Sequence, residues 1–217
     1  MTSVKYDRAA WLMGTSGECT QEPACAQPWR LVLLGAPGVG KGTQAELLPQ
    51  SLDACHLSTG DLFRSAQRQA GCERSPAMAA ALEEMQKGAL VPDSTVWEII
   101  RVRSQCLRCP GGFILDGFPR TVPQAVALRG LMENEKLALN AVVNYELPIP
   151  EIVERLSGRR TCERCKAICH ATQRPPRIEG ICDQCGGRLF QREDDRPEAI
   201  EVRMEAYEWS TAPLIEF

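Results

Sequence analysis

Residues 31–43 read Leu-Val-Leu-Leu-Gly-Ala-Pro-Gly-Val-Gly-Lys-Gly-Thr, and the fold turns on this stretch. Four apolar residues, Leu31 to Leu34, run straight into a loop carrying Gly35, Gly38, Gly40 and Gly42 around Lys41. A short apolar run that stops at glycine reads as a buried strand of a parallel sheet. Gly35 is followed, after four residues, by Gly40-Lys41, which is the spacing of a phosphate-binding loop. Such a loop needs glycine because its backbone curls around a phosphate with N–H groups inward, and a Cβ would block the approach. Lys41 adds a cation for the β- and γ-phosphates, and a helix opening at Thr43 adds its positive N-terminal end. The hydroxyl residue follows Lys41 by two positions, with Gly42 between, which departs from the common form of the motif.

Composition narrows the class of molecule. The 217 residues are enough for one α/β domain with insertions. Hydrophobic residues at 44% and charged residues at 24% are ordinary for a globular protein. A formal net charge of -3 gives no general attraction to nucleic acid. No apolar run approaches the ~18 residues of a membrane span, and Ala9 to Met13 is too short for a signal-peptide core. Eleven cysteines without a signal peptide favour metal ligation or free thiols over disulfides, so the cytoplasm is the expected compartment.

Along the chain, residues 1–28 show no usable period and read as a poorly ordered extension; Cys19 and Cys25 there have no partner at metal spacing. After the phosphate loop, Pro49 lacks an N–H and should cut the first helix short. Ala54 to Leu57 reads as a second strand ending at Ser58-Thr59-Gly60-Asp61. Residues 62–87 read as two helical pieces, interrupted at Gly71, with Ser75 capping the second, Pro76 at its first position and Gly88 past its end. Asp93 is expected to cap the next helix. Gly112 to Asp116 is a third strand ending on an acid, with a helix from about Val122 to Leu131 behind it. Ala141 to Leu147 is a fourth strand, and a helix opened by Pro150 follows. Strands alternating with helices predict an α/β, doubly wound parallel sheet with helices on both faces. Ligands then bind beyond the carboxyl ends of the strands, where Lys41, Asp61 and Asp116 all lie.

Cys162-x2-Cys165 and Cys182-x2-Cys185 are separated by sixteen residues. Two such knuckles can bring four thiolates around one structural Zn²⁺, leaving no open position for water; two disulfides or four unligated thiols are the competing readings. Cys169 and His170 lie between the knuckles as substitute ligands, but four cysteines suffice. Cys106-x2-Cys109 is a lone pair and reads as incidental thiols. Arginines bracket the zinc module: Arg155, Arg159 and Arg160 before it, Arg192 and Arg203 after it, with Asp195 expected to cap the last helix. Their placement beside a phosphate loop favours a clamp on polyphosphate over a scatter of surface charge.

From Leu31 to Phe217 the chain resembles adenylate kinases of the long-lid, zinc-bearing bacterial type. The motifs are GAPGVGKGTQ at 35–44, STGDLFR at 58–64, LVPD at 90–93, LDGFPRT at 115–121, SGRR at 157–160 and REDDRPEAI at 192–200. Gly42 after the lysine is the form this family uses. The resemblance implies a P-loop NTPase-like core (29–57, 92–157 and 196–217), a helical monophosphate-binding insertion (58–91) and a zinc-ribbon-like lid (158–195). It implies the reaction ATP + AMP to two ADP with Mg²⁺. Gly38, Val39, Gly40, Lys41, Gly42 and Thr43 would hold the ATP phosphates, with Arg155 against the ATP base. Thr59, Arg64, Ala89, Leu90, Val91, Gly117, Phe118, Pro119, Arg120 and Gln124 would hold AMP. Arg159, Arg192 and Arg203 would close on the transferring phosphoryl group, the latter two also reaching AMP. Asp116 would position Mg²⁺ through its water shell, and Asp194 and Asp195 would orient the arginines.

Two features depart from that family. Cys169 stands where the lid usually carries an aromatic residue. The chain also stops where these kinases usually continue with a fifth strand and a terminal helix. A complete fold implies a monomer, whereas the fourth strand left at an edge invites association and weaker ATP binding. Pyrimidine monophosphate kinases are a rival reading, but they lack the metal module and tend to carry Ala at the position of Thr59. A GTP:AMP phosphotransferase and a catalytically impaired nucleotide-binding protein stay open. A zinc-ribbon nucleic-acid binder is disfavoured by the net charge.

Overall fold

Leu31, Val32, Leu33 and Leu34 are all buried, which requires cover on both sides of the strand that carries them. Successive strand side chains point to opposite faces. Leu31 and Leu33 pack with Ala45, Ala54 and Ile114 on one face. Val32 and Leu34 join the larger core on the other, with Leu57, Phe113, Leu115, Ile100 and Leu128. The computed structural model describes residues 11–12, 27–68 and 76–217. Gly71, Ser75, Cys19 and Cys25, and most of the expected extension at 1–28, lie outside the described residues. Trp11 within that stretch is buried in the larger core.

The elements that build the sheet layer are β1 (Trp29–Gly35), α1 (Lys41–Leu52), β2 (Cys55–Ser58), α2 (Thr59–Arg68), α3 (Pro76–Lys87) and α4 (Asp93–Val102). They continue with β3 (Gly112–Asp116), α5 (Val122–Asn134), β4 (Ala141–Tyr145) and α6 (Ile149–Gly158). All four strands are parallel in the order β2-β3-β1-β4. Leu33 pairs with Asp116 and Ser58 with Asp116 across β3, so the carboxyl ends of β1, β2 and β3 finish side by side. The phosphate loop, the β2–α2 corner and Asp116 therefore share one edge, as the sequence predicts. β4 closes the sheet on the far side of β1, with Ala141 and Val142 exposed.

The lid is β5 (Arg159–Cys162), β6 (Ile168–His170) and β7 (Leu189–Phe190), an antiparallel sheet in the order β6-β5-β7. α7 (Pro197–Ala206) returns the chain to the main layer, where Ile200 packs with Ile152, Leu156, Ala36 and Val39 behind the phosphate loop.

Three local expectations are corrected. α1 opens at Lys41 and runs through Pro49 to Leu52, where the Asp53 N–H closes on the Pro49 carbonyl. Proline forfeits one backbone bond, but Ala45, Leu48 and Leu52 lie against the sheet and hold the helix on course. Asp93 makes no cap bond; Pro92 is the N-cap of α4, and the Asp93 carboxylate turns to α5 instead. Asp195 does not cap α7 either, because its N-cap is Arg196 and the Asp195 carboxylate is occupied by arginines. In each case a tertiary partner outbid a local one.

Candidate active site

The phosphate loop takes its shape from residues without a Cβ. Gly35 has φ 130, and a Cβ there would sit 2.3 Å from the Tyr145 carbonyl oxygen of β4. Gly38 has φ 82, and a Cβ would meet Leu156 of α6 at 2.8 Å. The loop is thus pressed between β4 and α6, and its remaining open side faces a cleft of about 1200 Å³. Lys41 at the first turn of α1 donates from Nζ to the carbonyls of Gly35 (2.6 Å) and Ala36 (2.8 Å). Burial pushes its pKa down to about 7; Asp116 opposes the shift, and Arg120, Arg203 and Arg159 add to it.

Asp116, at the end of β3, has its Oδ2 3.4 Å from His56 Nε2 of β2. Burial works against its charge, but the bond and charge of His56, with Lys41, hold the carboxyl below the usual carboxylate range. The same Oδ2 would lie 3.6 Å from a Cβ on Gly42, so an ionised oxygen donor stands over the first turn of α1. His56 has no place among the sequence-derived site residues. Its position two residues before the end of a strand paired to β3 was the available signal.

The β2–α2 corner forms the next wall. Thr59 Oγ1 donates to the Gly117 carbonyl (2.8 Å), and the Ser58 hydroxyl accepts from the Asp61 N–H (3.2 Å). Arg64 pairs with Asp61 (2.8 Å), and that charge overrides burial and raises the pKa of the guanidinium. Across from it, Arg120 Nε donates to the Gly117 carbonyl (2.8 Å). Gln124 is 4% exposed: its amide donates to Asp93 (2.6 Å), and its oxygen accepts from the Arg120 N–H (2.8 Å). Thr59, Ala89, Leu90, Val91, Gly117, Arg120 and Gln124 line a cavity of about 30 Å³ that also touches Phe63, Met85 and Val96. That set of residues coincides with most of those the resemblance assigns to AMP.

The third wall is cationic. Asp195, fully buried, accepts two bonds from Arg159 (2.7 and 2.5 Å) and one from Arg203 (3.1 Å). Arg203 also meets the Asp194 carbonyl (2.7 Å) and carboxylate (3.1 Å), and Arg192 donates to Thr161 Oγ1 (2.9 Å). Arg120, reached by solvent through the cleft, falls to about 10 by desolvation and then by Arg203. Arg192 falls to about 9 by burial and then by Arg159 and Arg64. Burial opposes the charge of Asp194, but Arg203 and Arg159 hold it below the ordinary range. Lys41 and five arginines (Arg64, Arg120, Arg159, Arg192 and Arg203) gathered around Asp61, Asp116, Asp194 and Asp195 leave an excess of positive charge that suits a polyanion. Arg155 lines the same cleft from α6. The structure therefore brings Gly38, Gly40, Lys41, Gly42, Thr43 and Asp116 to one cleft with Arg64, Arg120, Arg155, Arg159, Arg192 and Arg203, whereas Arg160 is outside its lining and Val39 and Phe118 are buried in the core. It adds His56, Thr161 and Leu12 to the cleft's lining.

In the lid, the sulfurs of Cys162, Cys165, Cys182 and Cys185 all lie within 4.8 Å of one another, and Cys169 and His170 stay outside the group. Cys162 and Cys185 are 3.5 Å apart, and Cys165 and Cys182 3.6 Å. A tetrahedron of Zn–S bonds of about 2.3 Å has sulfur–sulfur edges of about 3.8 Å, so the cluster fits that ion. Burial disfavours the Cys162 thiolate, yet the Cys165 and Arg164 N–H groups draw its pKa to about 6. Among the described residues no helix is long and apolar enough to cross a membrane.

A family profile described as adenylate kinase matches residues 33–217. The adenylate kinase of Carboxydothermus hydrogenoformans is 45% identical over 188 residues, covering 87% of this chain and 86% of that protein. That of Caldicellulosiruptor bescii is 47% identical over 188 residues, with the same coverage of both proteins. The Streptomyces coelicolor adenylate kinase is 45% identical over 192 residues, 87% of this chain and 85% of that one. With a parallel sheet ending in a glycine-rich phosphate loop, an arginine-lined cleft and a four-cysteine lid, the chain belongs to the adenylate kinase family.

Proposed function

We propose that the chain catalyses reversible phosphoryl transfer between ATP and AMP, giving two ADP. The observation that carries this is the one cleft into which Lys41, Arg64, Arg120, Arg159, Arg192 and Arg203 all open, with the small cavity beside Gln124 at its acceptor end. The backbone of Gly38 to Thr43 binds the donor phosphates, and Lys41 gives its remaining N–H donor to a phosphate oxygen. Thr59, Arg64, Arg120, Gln124 and the backbone of Ala89 to Val91 hold AMP. Arg159, Arg192 and Arg203 spread the charge of the transferring group, with Asp194 and Asp195 fixing their orientation. The acceptor is already a phosphate oxygen, so no side chain has to remove a proton; alignment and charge neutralisation supply the rate.

Asp116 is the residue to hold Mg²⁺, a hard ion that takes oxygen ligands and often retains water. When bound, the ion neutralises part of the polyphosphate charge. Cys162, Cys165, Cys182 and Cys185 would hold a structural Zn²⁺ in the lid. Residues 58–91 and 158–195 move against the 29–57, 92–157 and 196–217 core to exclude water. A thiol-rich lid fits a reducing cytoplasm. The test is a coupled assay of ADP formation from ATP and AMP, run beside CMP and UMP as acceptors and GTP as donor. Turnover greatest with ATP and AMP is the expected result. A preference for CMP, UMP or GTP would change the assignment, and no turnover with any pair would overturn it.

A further inference from the structure

Trp11 lies ahead of the phosphate loop, outside every motif used so far, and yet its side chain is 2% exposed. It belongs to the larger core with Leu57, Leu62 and Phe63. Its indole Nε1 donates to the Ser58 carbonyl at 2.9 Å, and its own carbonyl accepts from Arg103 Nε at 2.5 Å. Arg103 in turn donates to the Ile99 carbonyl of α4 at 3.3 Å. One residue is therefore tied to two separate parts of the core, and a buried indole N–H has the partner it requires.

The place it grips is specific. Ser58 ends β2, the outermost strand of the sheet among the described residues, and the chain passes there into α2. The same serine holds the first turn of α2 through Asp61, and Thr59 follows directly. Leu12, the next residue after Trp11, lines the nucleotide cleft together with Ser58, Gly60 and Arg64. Whatever fixes the Ser58 peptide fixes the direction in which Thr59 and Arg64 leave the sheet.

We propose that Trp11 is a positioning residue for the acceptor nucleotide, pinning the β2–α2 corner while Leu12 completes the cleft wall beside it. The inference rests on the assignment of Thr59 and Arg64 to AMP. Trp11→Phe keeps most of the apolar packing and removes the N–H donor. In the full chain it should raise KM for AMP roughly three- to tenfold, the value of one buried hydrogen bond, and KM for ATP less than twofold. The change should fall on KM rather than kcat. Equal movement of both KM values, or no movement of either, overturns the proposal.

A second measurement needs no variant. Hydrogen exchange of the wild-type chain should show residues 11–12 and 58–64 gaining protection together when AMP is added alone, and not when ATP is added alone. Protection of 58–64 with no change at 11–12 also overturns it. A wild-type chain that makes no ADP from ATP and AMP defeats the reaction assignment separately, and the AMP-linked exchange still decides the role of Trp11.

Discussion

Lys41 spends two of its three N–H donors on carbonyls of its own loop, Gly35 and Ala36, which leaves one for a phosphate. Lys41→Met should remove a cation that matters most in the transition state, costing roughly 10²-fold in kcat, or about 3 kcal/mol. Near-normal turnover of that variant would show that the loop does not act on the transferring phosphate. The depressed pKa carries its own consequence. With an empty-site value of about 7, lowered by burial, Lys41 is increasingly neutral as pH rises above that value. A bound polyanion favours the protonated amine, so ATP binding above this pH must take up a proton. Affinity for ATP should then fall by up to about tenfold for each unit of pH above the empty-site value. Calorimetric titrations in two buffers of different ionisation enthalpy should reveal the proton uptake, and identical heats in both would refute it.

Among the elements, the lid is the one that cannot hold itself together by burial. Its buried cluster is Cys162, Cys182 and Leu189, with Ala167, Cys169 and Cys185 at the margin, so almost no aliphatic side chain supports three short strands. A metal supplies the missing cohesion in such modules. Elemental analysis should find about one zinc per chain, and chelation should lower the melting temperature and free four thiols. A protein that contains no zinc, or whose melting point ignores a chelator, would leave the four-cysteine cluster unexplained. The lid also carries Arg159 at the start of β5 and Arg192 after β7, so losing its shape should scatter the clamp and reduce kcat.

At the level of the whole molecule, the sheet is covered on both faces but ends at β4 with one side of that strand unpaired among the described elements. Val142 there is 52% exposed. Unpaired backbone beside an exposed β-branched side chain invites pairing with another copy. Sedimentation velocity should show association that grows with concentration and that Val142→Lys suppresses, because a charge on an edge strand disfavours docking. A wild-type chain that stays monomeric throughout the series would show that the edge is already protected.

What the sequence determined by itself is everything that depends on local chemistry. Leu31 to Leu34 before a glycine loop leaves a doubly covered strand as the economical reading, and only glycine fits at Gly35, where the β4 carbonyl is 2.3 Å from a would-be Cβ. Paired cysteine knuckles carry their geometry in their spacing, whereas the runs around Asp116, Arg159 and Arg192 pointed to the site through the family they resemble. The tertiary structure decided matters in which distant partners compete with near ones. Asp93 and Asp195 look like helix caps in sequence, and each carboxylate was claimed by side chains from other elements, Thr121 and Gln124 for one and Arg159 and Arg203 for the other. Pro49 looks like a helix end, and burial of Ala45, Leu48 and Leu52 carried the helix past it. Trp11 gave no signal beyond the short apolar run Ala9 to Met13, since its partners Ser58 and Arg103 lie 47 and 92 residues away and no local pattern records a contact made only when the sheet is assembled.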